Sequence, residues 1–251
     1  MTEFTTWRSL VDGAEISDIP DSENLYAHYD AQQIDETDGT TITQWNDISD
    51  NGLDATDGTQ ATYRDSGING EAAVDFNGSD DRLTVPDSTD DFILLHDGSP
   101  VSIYVVAEVE SSDGFEAIFD TGAGSSQDVG CLFAAPDADD YNMRTNNGDG
   151  SSTPIRLVGG TPADDDLIEL HFDEDAETEA ELIVEESQVD TDTITDPTAN
   201  DSTHNFTIGA EDGGERELDA LIGEIMIYQS SHDSSTRSDV RDYLNTRWNR
   251  S

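Results

Sequence analysis

Apolar and polar residues alternate in short segments along most of this 251-residue chain, beginning near Asn24. In the clearest segment, 101–109, Val101, Ile103 and Val105 share one face and Tyr104 lies on the other. A period of two residues is typical of half-buried β-strands. Further strands are predicted at 25–29, 40–45, 72–76, 82–85, 115–119, 130–134, 155–158, 167–172, 180–184, 205–208 and 221–228. The turn residues between them favour a sandwich or jelly roll, and residues 77–80 are expected to close a tight hairpin.

One segment near the C-terminus has the period of an α-helix instead. Asp233 can serve as its N-cap, and Val240, Leu244 and Trp248 then recur at every fourth position. An amphipathic helix of this kind is expected to bury those three side chains against the sandwich. The predicted fold is therefore all-β, an antiparallel sandwich with one C-terminal amphipathic helix.

The first 23 residues show neither period, although they contain large apolar side chains. Phe4, Trp7, Leu10 and Val11 gain little in water unless another surface covers them. They are predicted to form an arm that docks on a neighbouring subunit, and a disordered terminus is the alternative. The chain is accordingly divided into an N-terminal arm, 1–23, and a single domain, 24–251.

The charge of the chain indicates the solvent in which it folds. It has 58 acidic residues, of which 39 are Asp, against 10 Arg and no Lys, and its formal net charge is −48. At about 1 M salt the Debye length falls to roughly 3 Å, so concentrated salt screens the self-repulsion of this surface. A halophilic source is therefore predicted.

The same composition excludes several partners. An acidic surface repels phosphates, so nucleic acid is not expected to bind. No apolar run approaches the roughly 18 residues of a membrane-spanning helix, and membrane insertion is not expected. The N-terminal residues also lack the basic and apolar regions of a secretion signal.

Several blocks of the sequence resemble, in order, the laminin G type of concanavalin A-like jelly rolls. Residues 45–56 resemble the family pattern W-x-D-x-S-G-N-G-x-x-A-T, and residues 68–83 resemble N-G-x-P-A-V-x-F-D-G-x-D-D-x-L. The strands at 206–209 and 221–228 and the helix at 235–248 are similar to the family's closing blocks. The resemblance covers about 24–251 and implies a concanavalin A-like fold of the kind found in lectins, glucanases and structural proteins of viruses. It does not select one of these functions.

The resemblance also implies a candidate cofactor, because relatives of this type bind Ca²⁺ through loop oxygens. The candidate ligands are Asp47, Asp50, Asn51 and Asp54. A second loop with Asp75, Asn77, Asp80 and Asp81 is the alternative.

Catalytic patterns are not found. No strand carries the E-x-D-x-x-E spacing of glucanases of this fold, and the five histidines lack the short spacings of zinc ligands. Cys131, the single cysteine, lies in an apolar segment and is interpreted as a small buried residue. A non-enzymatic protein is therefore predicted.

The predicted function is a virion structural or surface protein of a virus that infects halophilic archaea, such as an exposed capsid, turret or tail module. Its expected partners are other virion proteins or copies of itself, and host surface glycans or glycoproteins are a further partner. A halophilic cell-surface lectin or adhesin is the alternative, and a glycoside hydrolase ranks third. The missing secretion signal favours the virion as the location, because virus proteins reach the exterior by assembly and lysis.

Overall fold

A computed structural model describes residues 19–111, 114–136, 140–150, 153–163 and 165–250. Within these ranges the chain forms fifteen strands and one α-helix, with short 3₁₀ turns at Ser22–Asn24, Ala31–Gln33, Ile68–Gly70 and Ile93–Leu95. The elements are β1 (Leu25–Asp30), β2 (Asp57–Thr59), β3 (Thr62–Arg64), β4 (Ala73–Asn77), β5 (Arg82–Thr84), β6 (Val101–Ser111), β7 (Phe115–Asp120), β8 (Val129–Pro136), β9 (Tyr141–Asn147), β10 (Arg156–Gly159), β11 (Asp166–Phe172), β12 (Ala180–Val184), β13 (Ser187–Asp192), β14 (Thr207–Ile208), β15 (Asp219–Tyr228) and α1 (Ser234–Arg247).

The strands pair antiparallel in two sheets that pack face to face. Sheet I has the order β13-β12-β11-β6-β15-β4-β3, with β1 also paired to β15, and sheet II has the order β10-β9-β8-β7-β14-β5-β2. The predicted all-β sandwich with one C-terminal helix is confirmed, and the arrangement is consistent with a concanavalin A-like jelly roll.

The main core lies between the two sheets and is built by the alternation seen in the sequence. At its centre the Phe206 ring stacks on Phe92 at a centroid distance of 4.2 Å, with Phe119 at 5.6 Å. Trp45 is buried beside Tyr29. Cys131 is also buried there, and burial raises the pKa of its thiol to about 12, so it remains an uncharged core residue at neutral pH.

Helix α1 covers the outer face of sheet I. Asp233 caps the helix, its carboxylate accepting the backbone N–H groups of Ser235 and Thr236. These hydrogen bonds, led by the one from Thr236, lower the pKa of Asp233 to about 2. The expected face is buried: Val240, Leu244 and Trp248 are each at most 1% exposed.

Arginines along and just beyond α1 pair with carboxylates of sheet I and its connections. Arg237 lies 2.7 Å from Glu181, and Arg241 lies 2.6 Å from Glu169. Arg247 pairs with Asp30. Ion pairs that are largely shielded from solvent are screened less by salt than exposed ones, so we expect this attachment to persist when the salt concentration is raised.

Asp side chains also close one open edge of the sandwich. The backbone N–H of Arg156 on edge strand β10 donates to Asp192 at 2.7 Å, and that of Val158 donates to Asp190 at 2.8 Å. Both acceptors belong to β13 of the other sheet, so carboxylates satisfy amides that an edge strand would otherwise offer to another chain.

The hairpin expected at residues 77–80 is wrong. Strand β4 belongs to sheet I and β5 to sheet II, so this turn carries the chain from one sheet to the other. Both edges of β4 are already paired, with β15 and with β3, which leaves no edge for β5. The buried Asp81 side chain supports the crossing by accepting the N–H of Asn77 at 3.0 Å.

Other differences from the predicted elements are local. Residues 40–45 contribute isolated bridges, such as Trp45 to Ala55, instead of a strand. Strands β9 and β13 were not predicted, because polar residues dominate both segments and mask the alternation. Strands β2 and β3 were not predicted either, since three residues are too few to show a period. The proposed docking residues Phe4, Trp7, Leu10 and Val11 lie outside the described residues.

The first described residues already pack on the sandwich. Ile19 is buried on the outer face of sheet I, and the carbonyl of Pro20 accepts the Tyr228 hydroxyl at 3.1 Å. Asp21 lies 3.1 Å from the buried His232. An arm that leaves the domain therefore ends no later than residue 18.

Candidate functional site

The first predicted calcium ligand, Asp47, accepts hydrogen bonds from its own loop and from β1. Its buried carboxylate accepts the backbone N–H groups of His28, Ser49 and Leu53 at 2.8–2.9 Å and the Ser49 hydroxyl at 2.7 Å. The backbone N–H of Asp47 donates to Asp54 at 2.9 Å. These bonds hold the loop against β1 and give Asp47 a clear role in folding.

The remaining candidates of this loop do not converge on one point. Asp50 and Asn51 are exposed, and the Asn51 amide donates to the carbonyl of Tyr26 at 2.9 Å. The carboxylates of Asp47, Asp50 and Asp54 are not among the described groups whose ligand atoms lie within 4.8 Å of one another. Calcium binding here stays a prediction.

The alternative loop is likewise built from internal contacts. Asp75 accepts the Arg64 guanidinium at 2.5 Å, and the Asn77 amide donates to Asp80 at 3.1 Å. Asp81 is buried, with one carboxylate oxygen that has no hydrogen-bond partner among the described residues. Burial raises the pKa of Asp81 to about 6.

One group in the described part of the chain does bring three possible metal ligands within 4.8 Å of one another: His28, Asp30 and Glu224. All three are buried beneath α1. His28 lies 2.6 Å from Glu224, the indole N–H of Trp248 donates to Glu224 at 2.7 Å, and Arg247 pairs with Asp30. The helix therefore already supplies a cation and a donor to these carboxylates, which identifies the group as part of the helix attachment.

Burial, followed by the nearby Glu224 carboxylate, raises the pKa of Asp30 to about 6. The Arg247 guanidinium opposes this shift. Because these carboxylates lie beneath the helix, they are shielded from any sugar in solution and are unsuited to glycoside hydrolysis.

A second buried group has the contacts of a serine–histidine–acid triad. His171 Nδ1 lies 2.9 Å from the Ser102 hydroxyl, and Nε2 lies 3.2 Å from Glu169. The Ser102 oxygen also accepts the backbone N–H of His232 at 3.0 Å, and Glu169 accepts Arg241. Burial lowers the pKa of His171 to about 4. Since all three are at most 3% exposed under α1, the group anchors the helix and is closed to substrate.

The outer face of sheet II, which points away from sheet I, is a third candidate. Unlike the two buried groups, it includes half-buried and exposed side chains. Opposed residues of successive strands place one row of side chains across it, since directly paired residues point to the same face. The row contains Arg156, Arg144, Leu132, Asp120, Thr207 and Thr84. Two loops, at 121–128 and 209–218, lie along this face.

Two arginines and one aromatic ring meet at the rim of this face. The guanidinium carbons of Arg144 and Arg216 lie 5.2 Å and 5.4 Å from the centre of the Phe115 ring, within cation–π range. Both arginines donate to the carbonyl of Gly124, at 2.9 Å and 3.2 Å. Arg216 also pairs with Glu211 at 2.5 Å. All three rim side chains are partly exposed, so a ligand can reach them.

Backbone contacts fix this arrangement. Arg216 adopts a left-handed conformation, with φ of 58°, that residues other than glycine rarely adopt. Its carbonyl accepts the N–H of Ala117 on β7 at 2.8 Å, next to an irregularity in the pairing of β7 with β8. Strain of this kind is found preferentially at functional sites.

Sequence reasoning missed this rim. Arg144 lies on the polar strand β9, and Arg216 lies in a loop far along the chain, so only the fold brings them to Phe115. The signal that could have indicated the rim was the scarcity of arginine, since the chain has 10 arginines and 58 acidic residues.

The chain belongs to the concanavalin A-like lectin/glucanase superfamily, because the laminin G-type model of that family matches residues 76–235. This confirms the resemblance that the sequence blocks indicated. No curated protein sequence matches the chain. The single α-helix described is too short and too polar to cross a membrane.

Solved structures with a similar fold include three sialidases. A Trypanosoma rangeli sialidase in complex with sialic acid has a TM-score of 0.60 at 12% identity, covering 94% of this chain and 34% of that one. A leech intramolecular trans-sialidase has a TM-score of 0.51 at 16% identity, covering 70% of this chain and 28% of that one. NanB sialidase from Streptococcus pneumoniae has a TM-score of 0.51 at 12% identity, covering 66% of this chain and 27% of that one. The chain thus spans about a third or less of these proteins, and at such identities the similarity shows the fold alone.

Proposed function

We propose that this domain is a non-catalytic carbohydrate-binding module that acts at the surface of a particle or cell in concentrated salt. The observation that carries the proposal is the partly exposed rim of Phe115, Arg144 and Arg216 on sheet II. Sugar-binding sites combine an apolar or aromatic surface with a few fixed polar groups that set orientation. The family contains lectins as well as glucanases, and the similar Trypanosoma rangeli structure is described as holding sialic acid.

Binding without hydrolysis is supported by where the buried acids lie. Retaining and inverting glycosidases need two carboxylates that flank an accessible glycosidic bond. The described pair Asp30 and Glu224 is covered by α1 and occupied by Arg247 and Trp248. The rim offers donors and a ring, which suit recognition.

The test is direct binding of oligosaccharides, measured by isothermal titration calorimetry in molar NaCl. Phe115→Ala and Arg144→Gln should each weaken binding by at least about tenfold, since interface anchors of these types commonly cost more than 1.4 kcal/mol. Arg64→Gln is the matched control, because Arg64 lies on β3 of the other sheet and pairs with Asp75. Unchanged affinity in both rim variants, or no binding by the wild type to any sugar offered, would reject the proposal.

For its biological setting we propose the virion of a virus of halophilic archaea, with a halophilic cell surface as the alternative. The charge of −48 supports a high-salt setting and is compatible with either location. Mass spectrometry of purified virions and of host membranes distinguishes them. Recovery of the chain only with host membranes would reject the virion.

A further inference from the structure

The described arginines fall into two groups that differ in their partners. Six of the nine described arginines pair with a carboxylate within 4 Å. Four of these lie on or just after α1, and the other two are Arg64 on β3 and Arg216 in a loop of sheet II. Arg82, Arg144 and Arg156 have no such described partner, and all three project from the outer face of sheet II. In a chain with 58 acidic residues, three unpaired arginines on one face mark a surface that keeps its positive charge available.

At the rim, Arg216 adds a further positive charge next to Arg144. Burial and the neighbouring Arg216 lower the pKa of Arg144, because the two cations repel each other. Arg216 is partly neutralised by Glu211, whereas Arg144 is held by a carbonyl and by the Phe115 ring. Around Arg144, the guanidinium groups of Arg144, Arg156 and Arg216 face the carboxylates of Glu211 and Asp120, and Asp120 is already paired with His204 at 2.8 Å. This leaves a local positive excess that an anion would relieve.

The edge of the Arg144 guanidinium that is left for an external ligand is the terminal one. The Nε of Arg144 is buried and has no hydrogen-bond partner among the described residues, and Nη2 donates to the Gly124 carbonyl, so a ligand meets the Nη1–Nη2 end. Two donors on one edge of a guanidinium match the two oxygens of a carboxylate, which is the strongest and most directional contact this side chain makes. The aromatic ring beside it offers an apolar surface to the rest of the same ligand.

We infer that Arg144 and Arg216 bind the carboxylate of an acidic sugar residue, with Phe115 as the apolar support of its ring. This inference rests on the proposed carbohydrate-binding function and names the class of glycan that the site takes. A carboxylate suits the paired forks better than a neutral hydroxyl, since charged hydrogen bonds are roughly twice as strong as neutral ones.

The test compares trigalacturonate with its methyl ester, which has the same sugar rings without the charges, by calorimetry in molar NaCl. The wild type should bind the acid at least about tenfold more tightly than the ester, as expected for a paired charged contact. Arg144→Gln with Arg216→Gln should abolish this preference, whereas Arg64→Gln should retain it. Circular dichroism in the same buffer confirms that each variant is folded.

The outcomes separate this inference from the proposed function. Equal binding of acid and ester by the wild type, or a preference that survives in the double variant, would overturn the carboxylate assignment and leave carbohydrate binding intact. A sulfated trisaccharide or a glutamate-rich peptide that bound more tightly than trigalacturonate would also overturn it. Failure of both acid and ester to bind would count against the inference and the proposed function together.

Discussion

Removing the Trp248 side chain tests how α1 is attached to sheet I. The indole ring is 0% exposed, and its N–H donates to the buried Glu224 at 2.7 Å. A side-chain carbon added at Gly223 would overlap the far end of the ring, so the absence of a side chain at Gly223 leaves the space that the indole occupies. Trp248→Ala should therefore lower the free energy of unfolding by about 3–5 kcal/mol, the range for buried aromatic truncations.

Two further variants divide this effect into packing and hydrogen bonding. Trp248→Phe keeps much of the ring but removes the indole N–H that donates to Glu224, which should cost about 1–3 kcal/mol. Val189→Ala is the control, because Val189 is 36% exposed and surface substitutions of this kind usually change stability by less than about 0.5 kcal/mol.

The measurement is urea unfolding in molar NaCl, followed by far-ultraviolet circular dichroism. Urea is uncharged and leaves the salt concentration unchanged. A loss below about 1 kcal/mol for Trp248→Ala would refute the packing argument, since the cavity left by a buried tryptophan lowers the free energy of unfolding by more than that. Equal losses for the Ala and Phe variants would mean that the hydrogen bond carries the whole effect.

Four other results are expected. Lowering NaCl from molar to about 0.1 M, where the Debye length reaches roughly 10 Å, should unfold the protein cooperatively, and an unchanged melting temperature would contradict the halophilic prediction. Burial raises the folded-state pKa of Asp81 to about 6, above roughly 3.9 in the unfolded chain, so the stability it contributes is present at low pH and lost as the pH rises through about 6. Asp81→Asn should therefore gain more stability, relative to wild type, at about pH 8 than at about pH 5, and equal differences in urea unfolding would refute this. Asp47→Ala should lower the melting temperature in EDTA because its backbone hydrogen bonds are lost, and the predicted calcium site requires a larger loss in CaCl₂, so equal losses would contradict it. Deleting residues 1–18 should leave urea unfolding unchanged but reduce the mass measured by light scattering in molar salt, and equal masses would refute the docking arm.

The parts of the fold that the sequence predicted are those governed by short-range periods. Strand β6 and helix α1 both present a regular apolar face, and each was expected close to its observed position. The pairing partners of a strand depend instead on distant segments. Residues 77–80 look like the turn of a hairpin, yet β4 is already paired on both edges, and this cannot be predicted from the turn itself.

The candidate site was harder to predict for the same reason. Asp47 was singled out because acidic loops are typical calcium ligands, but its oxygens serve backbone N–H groups of the fold. Phe115, Arg144 and Arg216 come from two strands and a loop, and no local motif marks them. In a sequence with 39 Asp, acidic clusters carry little information, whereas the rare basic residues carry more.

The positions of the arginines are consistent with the predicted high-salt setting. An exposed ion pair gains little in molar NaCl, because the Debye length is about 3 Å, so lysine on the surface would contribute almost nothing. A guanidinium retains its value where it is partly buried and makes paired hydrogen bonds. Arg241 meets that condition with two hydrogen bonds to Glu169, and Arg247 is buried against Asp30. Arg144 is also partly buried, but it contacts the Gly124 carbonyl and the Phe115 ring and has no carboxylate within 4 Å among the described residues. The proposed anion site on the rim accounts for this difference.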